Sequence, residues 1–338
     1  MDGMKEHSVF PQTLAQAIRY FADLNNCVDF LANLRWPEGV TCPKCGSKEV
    51  SYVSTRRIWK CKQEHDHRQF SAKVGTIMED SPIPLDKWLT AMWLLCNCRN
   101  GVSSYEVARD LGVTQKTAWF MMHRIRKAMQ SGSFRKFGGP GGEVESDEAF
   151  IGGKPKNMHA GRRIALRKAQ ESSLRGNTRL IGKAAVVGVL DRESREVRAT
   201  VVRAINRETL QKDILSHIAH GSRIYTDEAT VYKSVPKDKY IHEFVNHMEK
   251  YVNGRVHTNG LENFWSLLKR GLNGTYVAVE PFHLFRYVDE QSFRFNNRRD
   301  TNGNKLSDAE RFKLAASQIV GKRLTFAEVT GKVEQTPF

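Results

Sequence analysis

Val144-Glu145-Ser146-Asp147-Glu148-Ala149-Phe150-Ile151-Gly152-Gly153 is the stretch on which the architecture turns. Apolar residues at both ends and a closing glycine pair make Val144 to Ile151 a strand, and it carries an acidic cluster. Toward the C terminus, Ala184 to Leu190 is strand-like and Glu196 to Ile205 alternates as a third strand. Asn206 to Ile218 reads as a helix with Asn206 as its candidate N-cap, marked by Thr209, Leu210, Ile214 and Ile218. Arg223 to Thr226 is a short strand ending at Asp227, and a last strand near Glu243 to Asn246 precedes helices around 258–271 and 281–297. This order of elements is mixed α/β.

Toward the N terminus, Ser131 to Gly142 holds five Gly and one Pro and is the best linker candidate. Before it, helical spacing marks residues 84–98, 103–111 and 114–130, and one or two short helices fall within 11–35. Residues 40–75 read as short strands joined by Cys- and Gly-bearing turns. The expected division is an N-terminal helical segment (1–38), a ribbon-like module (39–80), a helix-turn-helix module (81–132), a linker (133–142), an α/β domain (143–300) and a C-terminal tail (301–338).

The 338 residues hold 53 Lys and Arg against 37 Asp and Glu, a formal net charge of +16. A field of that sign attracts polyanions, and phosphate neutralisation releases condensed counterions, so nucleic acid is the expected partner. No apolar run approaches the ~20 residues that span a bilayer, and the first residues lack a signal-peptide pattern. A cytoplasmic, nucleoid-associated protein is expected, without a membrane partner. Six cysteines are too few for a disulfide scaffold in so long a chain. Cys27, Cys96 and Cys98 read as packing residues.

Against this basic background, acids at element ends stand out. Asp147 lies in the first strand, Asp227 ends a later one, and Glu262 sits in the first turns of His257-Thr258-Asn259-Gly260-Leu261-Glu262-Asn263-Phe264-Trp265-Ser266-Leu267-Leu268-Lys269-Arg270. Two-metal phosphoryl transfer needs carboxylates from separate elements converging on ions about 4 Å apart. Lys269, seven residues after Glu262, falls on the same helical face and sets a cation beside that site. Singly, each acid is equally a turn cap or a partner of the helix dipole.

Cys42-Pro-Lys-Cys45-Gly46 is half of a zinc ribbon, two thiolates on a tight turn. The other half is irregular: Cys61 is present, but position 64 is Glu, with His65 and His67 nearby. Cys42, Cys45, Cys61 and His65 are the favoured Zn²⁺ ligands, with His67 a near equal and a metal-free ribbon packed on Trp59 and Phe70 the alternative. Ser103 to Thr114 has the proportions of helix, glycine turn and capped second helix. The second helix is expected to bury Ala118, Met121 or Met122, Ile125 and Met129. Its opposite face then presents Gln115, Lys116, Trp119, His123, Arg124, Arg126 and Lys127 to DNA. An ordinary helical hairpin with a solvated basic face is the alternative. Residues 154–180, with Arg162, Arg163 and six further cations against Glu171 alone, read either as an arm that orders on DNA or as a solvated loop. Trp265 reads as core.

Taken together these motifs resemble the DDE transposases of bacterial insertion sequences, in the ISXO-type group related to the Merlin transposons. The resemblance runs from about Phe10 to Arg298 and rests on several motifs in order. These are Cys42 to Gly46, Arg68-Gln69-Phe70-Ser71 through Gly75-Thr76-Ile77, Asp147 to Gly153, Tyr225-Thr226-Asp227-Glu228, His257 to Ser266, Lys269-Arg270-Gly271 and Gly274-Thr275-Tyr276. It departs at the ribbon, where Glu64 replaces a cysteine and two extra residues precede Arg68. The resemblance implies a ribonuclease-H-like, retroviral-integrase-like catalytic domain behind the zinc ribbon and helix-turn-helix. It implies two Mg²⁺ or Mn²⁺ ions held by Asp147, Asp227 and Glu262, with His257, Asn259 and Lys269 as active-site neighbours. It implies binding of double-stranded DNA at the element's terminal inverted repeats and in the target. Bringing two ends together implies a homo-oligomer.

Overall fold

The computed structural model describes residues 10–130, 132, 135–153, 155–169, 181–202, 207–227, 235–245, 256–277 and 279–332. The chain forms two compact units, one of residues 1–130 with 303–338 and the other of residues 131–302.

The first unit opens with α1 (Leu14–Phe21), started by a capping box between Thr13 and Gln16, and α2 (Leu24–Arg35), capped by Asp23. A small antiparallel sheet follows, β1 (Val50–Val53), β2 (Ile58–Cys61) and β3 (Gln69–Phe70), with Trp59 opposite Phe70. Trp36 stands edge-on to both rings, and Arg35 lies over Trp36 while donating to the carbonyl of Ala72. α2 and the ribbon are therefore one packed piece, which the expected boundary at residue 38 divides. Helix α3 (Leu85–Asn97) is buried almost all round, through Trp88, Leu89, Met92, Trp93 and Leu95. Helices α4 (Ser104–Leu111) and α5 (Gln115–Ala128) are joined at Gly112, whose φ of 59° is the left-handed conformation that ends a helix cheaply only in glycine.

The second unit begins within the expected linker. β4 (Phe137–Gly138) pairs in parallel with β8 (Ile218–Ala219), and Phe137 is fully buried, so this glycine-rich run is part of the domain's structure. The main sheet has the order β10-β9-β5-β6-β7, from β5 (Glu143–Ile151), β6 (Ala184–Asp191), β7 (Val197–Val202), β9 (Arg223–Asp227) and β10 (Ile241–Val245). β5, β6 and β7 form an antiparallel meander, while β9 and β10 run parallel to β5. One sheet face packs Val144, Val187, Val189 and Ile224 against Ile214 of α7 (Arg207–His217). The other packs Ala149, Val186 and Leu190 under α8 (Asn259–Arg270) and α9 (Leu284–Asn296). Between β5 and β6, residues 160–169 form helix α6 rather than a loop, and every described side chain along it is at least partly exposed. Asn206, Lys154, Arg175 and Arg179 lie outside the described residues.

Residues beyond 303 are not a tail. α10 (Asp308–Ser317) and α11 (Phe326–Val329) return to the first unit. There Phe312 joins Phe10, Phe21, Phe30 and Trp93 in one aromatic core.

Candidate active site and metal centre

The strand register sets the two aspartates side by side. Glu145 of β5 pairs with Tyr225 of β9, and two residues further along these parallel strands stand Asp147 and Asp227. Neighbouring strands lie about 4.8 Å apart and side chains repeat every second residue. Both carboxylates therefore leave the sheet at one level on the face that carries Ala149, the face α8 covers.

Glycines let α8 approach that face. Gly188 pairs with Asp147, and a Cβ there would stand 2.7 Å from the Trp265 ring and 3.0 Å from Leu261. Two hydrogen bonds then fix the helix: the Trp265 indole Nε1–H donates to Asp147 Oδ2 at 3.0 Å, and the Leu261 amide donates to Glu145 Oε2 at 3.0 Å. The Thr258 side chain does not cap α8, so the buried Glu145 from β5 satisfies one of the free amides of its first turn. Leu261, Phe264, Trp265 and Leu268 form the buried face of α8. Asn259, Glu262 and Lys269 share the exposed stripe, so Glu262 and Lys269 do fall on one side of the helix.

The carboxyl of Asp147 is pushed up to about 6, first by burial, then by the negative charge of Asp227, with Glu262 adding to it. The Glu148 amide and the Trp265 indole pull in the opposite direction. Asp147 therefore feels both of the other sequence-expected acids. Among the described residues the three carboxylates do not close within 4.8 Å of one another as one tight cluster. A pair of ions about 4 Å apart does not require them to.

Sequence reasoning missed Arg192, which directly follows β6. Its Nε donates to Glu145 Oε1 at 2.9 Å, its Nη2 reaches His257 Nδ1 at 2.9 Å and the His257 carbonyl at 2.5 Å, and Glu143 lies 3.7 Å from Nη1. The guanidinium also lies 4.2 Å over the Tyr225 ring. A lone Arg after a strand carries no local signal; its importance comes from four partners distant in sequence.

The ribbon ligands converge in the first unit. Ligand atoms of Cys42, Cys45, Cys61 and His65 all lie within 4.8 Å of one another. Cys42 Sγ is 3.5 Å from His65 Nε2, and Cys45 Sγ is 3.6 Å from Cys61 Sγ. A tetrahedral zinc with Zn–S bonds of about 2.3 Å separates its ligands by roughly 3.8 Å, so this donor set fits structural Zn²⁺. His65 Nδ1 lies 2.8 Å from the Asp66 carbonyl, which orients the ring and leaves Nε2 for the metal. His67, at a left-handed φ of 59°, is outside the cluster. Burial, the largest single influence, would raise the Cys42 thiol, but hydrogen bonds from the Cys45 and Lys44 amides and from the Cys45 and Cys61 side chains together bring it down to about 7.

The expected exposed face of α5 needs correction. His123, Arg124 and Arg126 are buried, Gln115 binds Ser104, Trp119 stands against His123, and Lys127 donates to the Arg323 carbonyl. Arg124 donates to the Glu79 carbonyl and lies over Phe120. The reason is that α5 packs against α3, α4 and α11 together, and α11 lies in the segment expected to be a tail. Of the expected DNA contacts, Lys116, Arg162 and Arg163 are exposed.

Fold and site thus define a two-unit protein, a Cys₃His ribbon unit and a mixed α/β unit with acids clustered on one sheet face. Residues 24–65 match the family described as a transposase zinc-ribbon domain, and residues 140–296 match the ISXO2-like transposase domain. The two matches give the chain a transposase zinc ribbon and an ISXO2-like transposase domain. A relative from Halobacterium salinarum, described as an uncharacterized protein in transposable element ISH50, is 26% identical over 262 residues, covering 76% of this chain and 85% of the relative. Among the described residues, no helix is long and apolar enough to cross a membrane.

Proposed function

We propose that this protein cuts and joins DNA strands at the ends of its mobile element, with Asp147, Asp227 and Glu262 holding two Mg²⁺ or Mn²⁺ ions. The observation that carries the reading is the raised Asp147 carboxyl, set level with Asp227 and exposed to the charge of Glu262. Acids placed to repel one another favour a site completed by cations, and an all-oxygen donor set suits Mg²⁺ or Mn²⁺. When bound, the cations activate the attacking oxygen and stabilise the leaving one. The protein's own groups hold the geometry: Trp265 orients Asp147, Glu145 anchors the start of α8, and Lys269 on the stripe of Glu262 meets a backbone phosphate. Water attacks a phosphodiester at the element end, and the freed 3′-hydroxyl then attacks target DNA without a covalent protein intermediate.

The strand order, an antiparallel meander extended by two parallel strands, supports a ribonuclease-H-like reading of the second unit. The Ser103 capping box, the Gly112 turn and the Thr114 cap support a helix-turn-helix reading of α4–α5. In that reading Lys116 meets DNA from α5, and Arg162 and Arg163 meet it from α6. Synapsis of two ends calls for a homo-oligomer.

The test is strand transfer by the purified full chain, with an element-end oligonucleotide and Mn²⁺. Transfer products that disappear in Asp227→Asn support the proposal. Cleavage without joined products makes the protein a nuclease, and DNA binding without cleavage makes it a regulator.

A further inference from the structure

We propose that Arg192 is a positioning residue that fixes the ring of His257 with its proton on Nε2, so that this N–H is the donor offered to a DNA phosphate. The inference rests on the strand-cleaving reading for its consequence, but not for the tautomer itself.

The argument is one of hydrogen-bond polarity. Every guanidinium nitrogen is a donor and none accepts. Arg192 Nη2 stands 2.9 Å from His257 Nδ1 and 2.5 Å from the His257 carbonyl oxygen, so one amino group faces two groups of the same residue. A proton on Nδ1 would point at that donor. The competing acceptor, Glu145 Oε1, is 3.6 Å from Nδ1, beyond hydrogen-bond range, and already takes the Arg192 Nε–H at 2.9 Å. Nδ1 is therefore the acceptor, and in the neutral ring the proton resides on Nε2.

Arg192 is held from several directions and cannot easily turn away. Glu143 and Glu145 face it from β5, Tyr225 lies beneath its plane from β9, and its side chain is 13% exposed. A lysine ammonium is a compact point charge and cannot repeat this planar set of contacts. His257 precedes α8 by two residues, and Glu145, the other partner of Arg192, lies one side-chain repeat from Asp147 on the same sheet face. The ring is thus anchored to the strand that carries the first metal-site aspartate. A donor there meets a non-bridging phosphate oxygen, whereas the other tautomer would present a lone pair to an anion.

The experiment begins on the unaltered full chain. Imidazole ¹⁵N-labelled protein, with the His257 signals assigned by their loss in His257→Gln, reports the tautomer by long-range ¹H–¹⁵N correlation. The expected result is an unprotonated Nδ1 and a protonated Nε2; a protonated Nδ1 overturns the proposal. Arg192→Met and Arg192→Lys are then compared. Arg192→Met, with a native thermal transition, is expected to give tautomer-averaged His257 signals and to slow cleavage about 10–100-fold, the range for loss of an orienting partner. The effect should fall on kcat more than KM. Unchanged His257 signals in a folded Arg192→Met protein refute the proposal. If that variant does not fold, the wild-type tautomer still decides. If wild-type protein never cleaves DNA, the strand-cleaving reading fails while the tautomer result stands by itself.

Discussion

Replacing Asp147 with Asn should make the metal-free protein more stable while destroying its cutting activity. Burial and the charges of Asp227 and Glu262 raise this carboxyl from 3.8 to about 6. The folded state thus holds its proton more tightly than the unfolded state. Stability is fullest below the unfolded value and falls as pH rises through about 6. Two pKa units correspond to about 3 kcal/mol lost at neutral pH. Asn removes the charge, but its single carbonyl oxygen replaces two acceptors that serve the Glu148 amide and the Trp265 indole. With about 1 kcal/mol returned for a weakened hydrogen bond, the net gain is about 1–2 kcal/mol. For a unit of 150–250 residues that is an upward shift of roughly 2–8 °C. The assay is thermal unfolding in EDTA at pH 8 and pH 4. The advantage should be largest at pH 8 and be gone near pH 4, close to the unfolded value, where the wild-type carboxyl is largely protonated in the folded state and half protonated in the unfolded one. Mn²⁺ should reverse the order, because it stabilises only the form that binds it. An Asn variant less stable than wild type at pH 8 in chelator would refute the electrostatic account of this site.

Three further outcomes follow from the same geometry. Trp265→Phe removes the donor that lowers the Asp147 carboxyl, so the acid limb of the cleavage pH–rate profile should move to higher pH. Gly188→Ala places a methyl 2.7 Å from the Trp265 ring, and calorimetry should show a loss of about 1–3 kcal/mol, together with weaker cleavage as α8 is pushed from the sheet. Metal analysis should find one zinc in wild type and in His67→Gln but none in Cys45→Ser, with His65→Gln greatly depleted; equal loss from the two histidine variants would contradict the assigned ligand set.

Much of the site was legible because its signals are local. Strand-end and helix-start acids, the Cys-x-x-Cys turn, the Gly112 turn and the Thr114 cap are short-range features whose physics depends on near neighbours. They were enough to mark Asp147, Asp227, Glu262 and the ribbon thiols. The order of elements also carried the α/β class. What local pattern could not carry was partnership across the chain.

The sequence by itself determined which groups were available: the three acids, the thiolates, two competing histidines and a large cationic excess. Tertiary structure alone decided how they were used. It chose His65 over His67, because backbone conformation and the Asp66 carbonyl orient only one ring toward the thiols. It buried Arg124 beside α3, because a segment near the end of the chain packs back against the first unit. It made Arg192 the tie between two glutamates, a tyrosine and His257, contacts separated by up to 65 residues. Periodicity reports which face of an element is apolar, but only packing reports what that face meets.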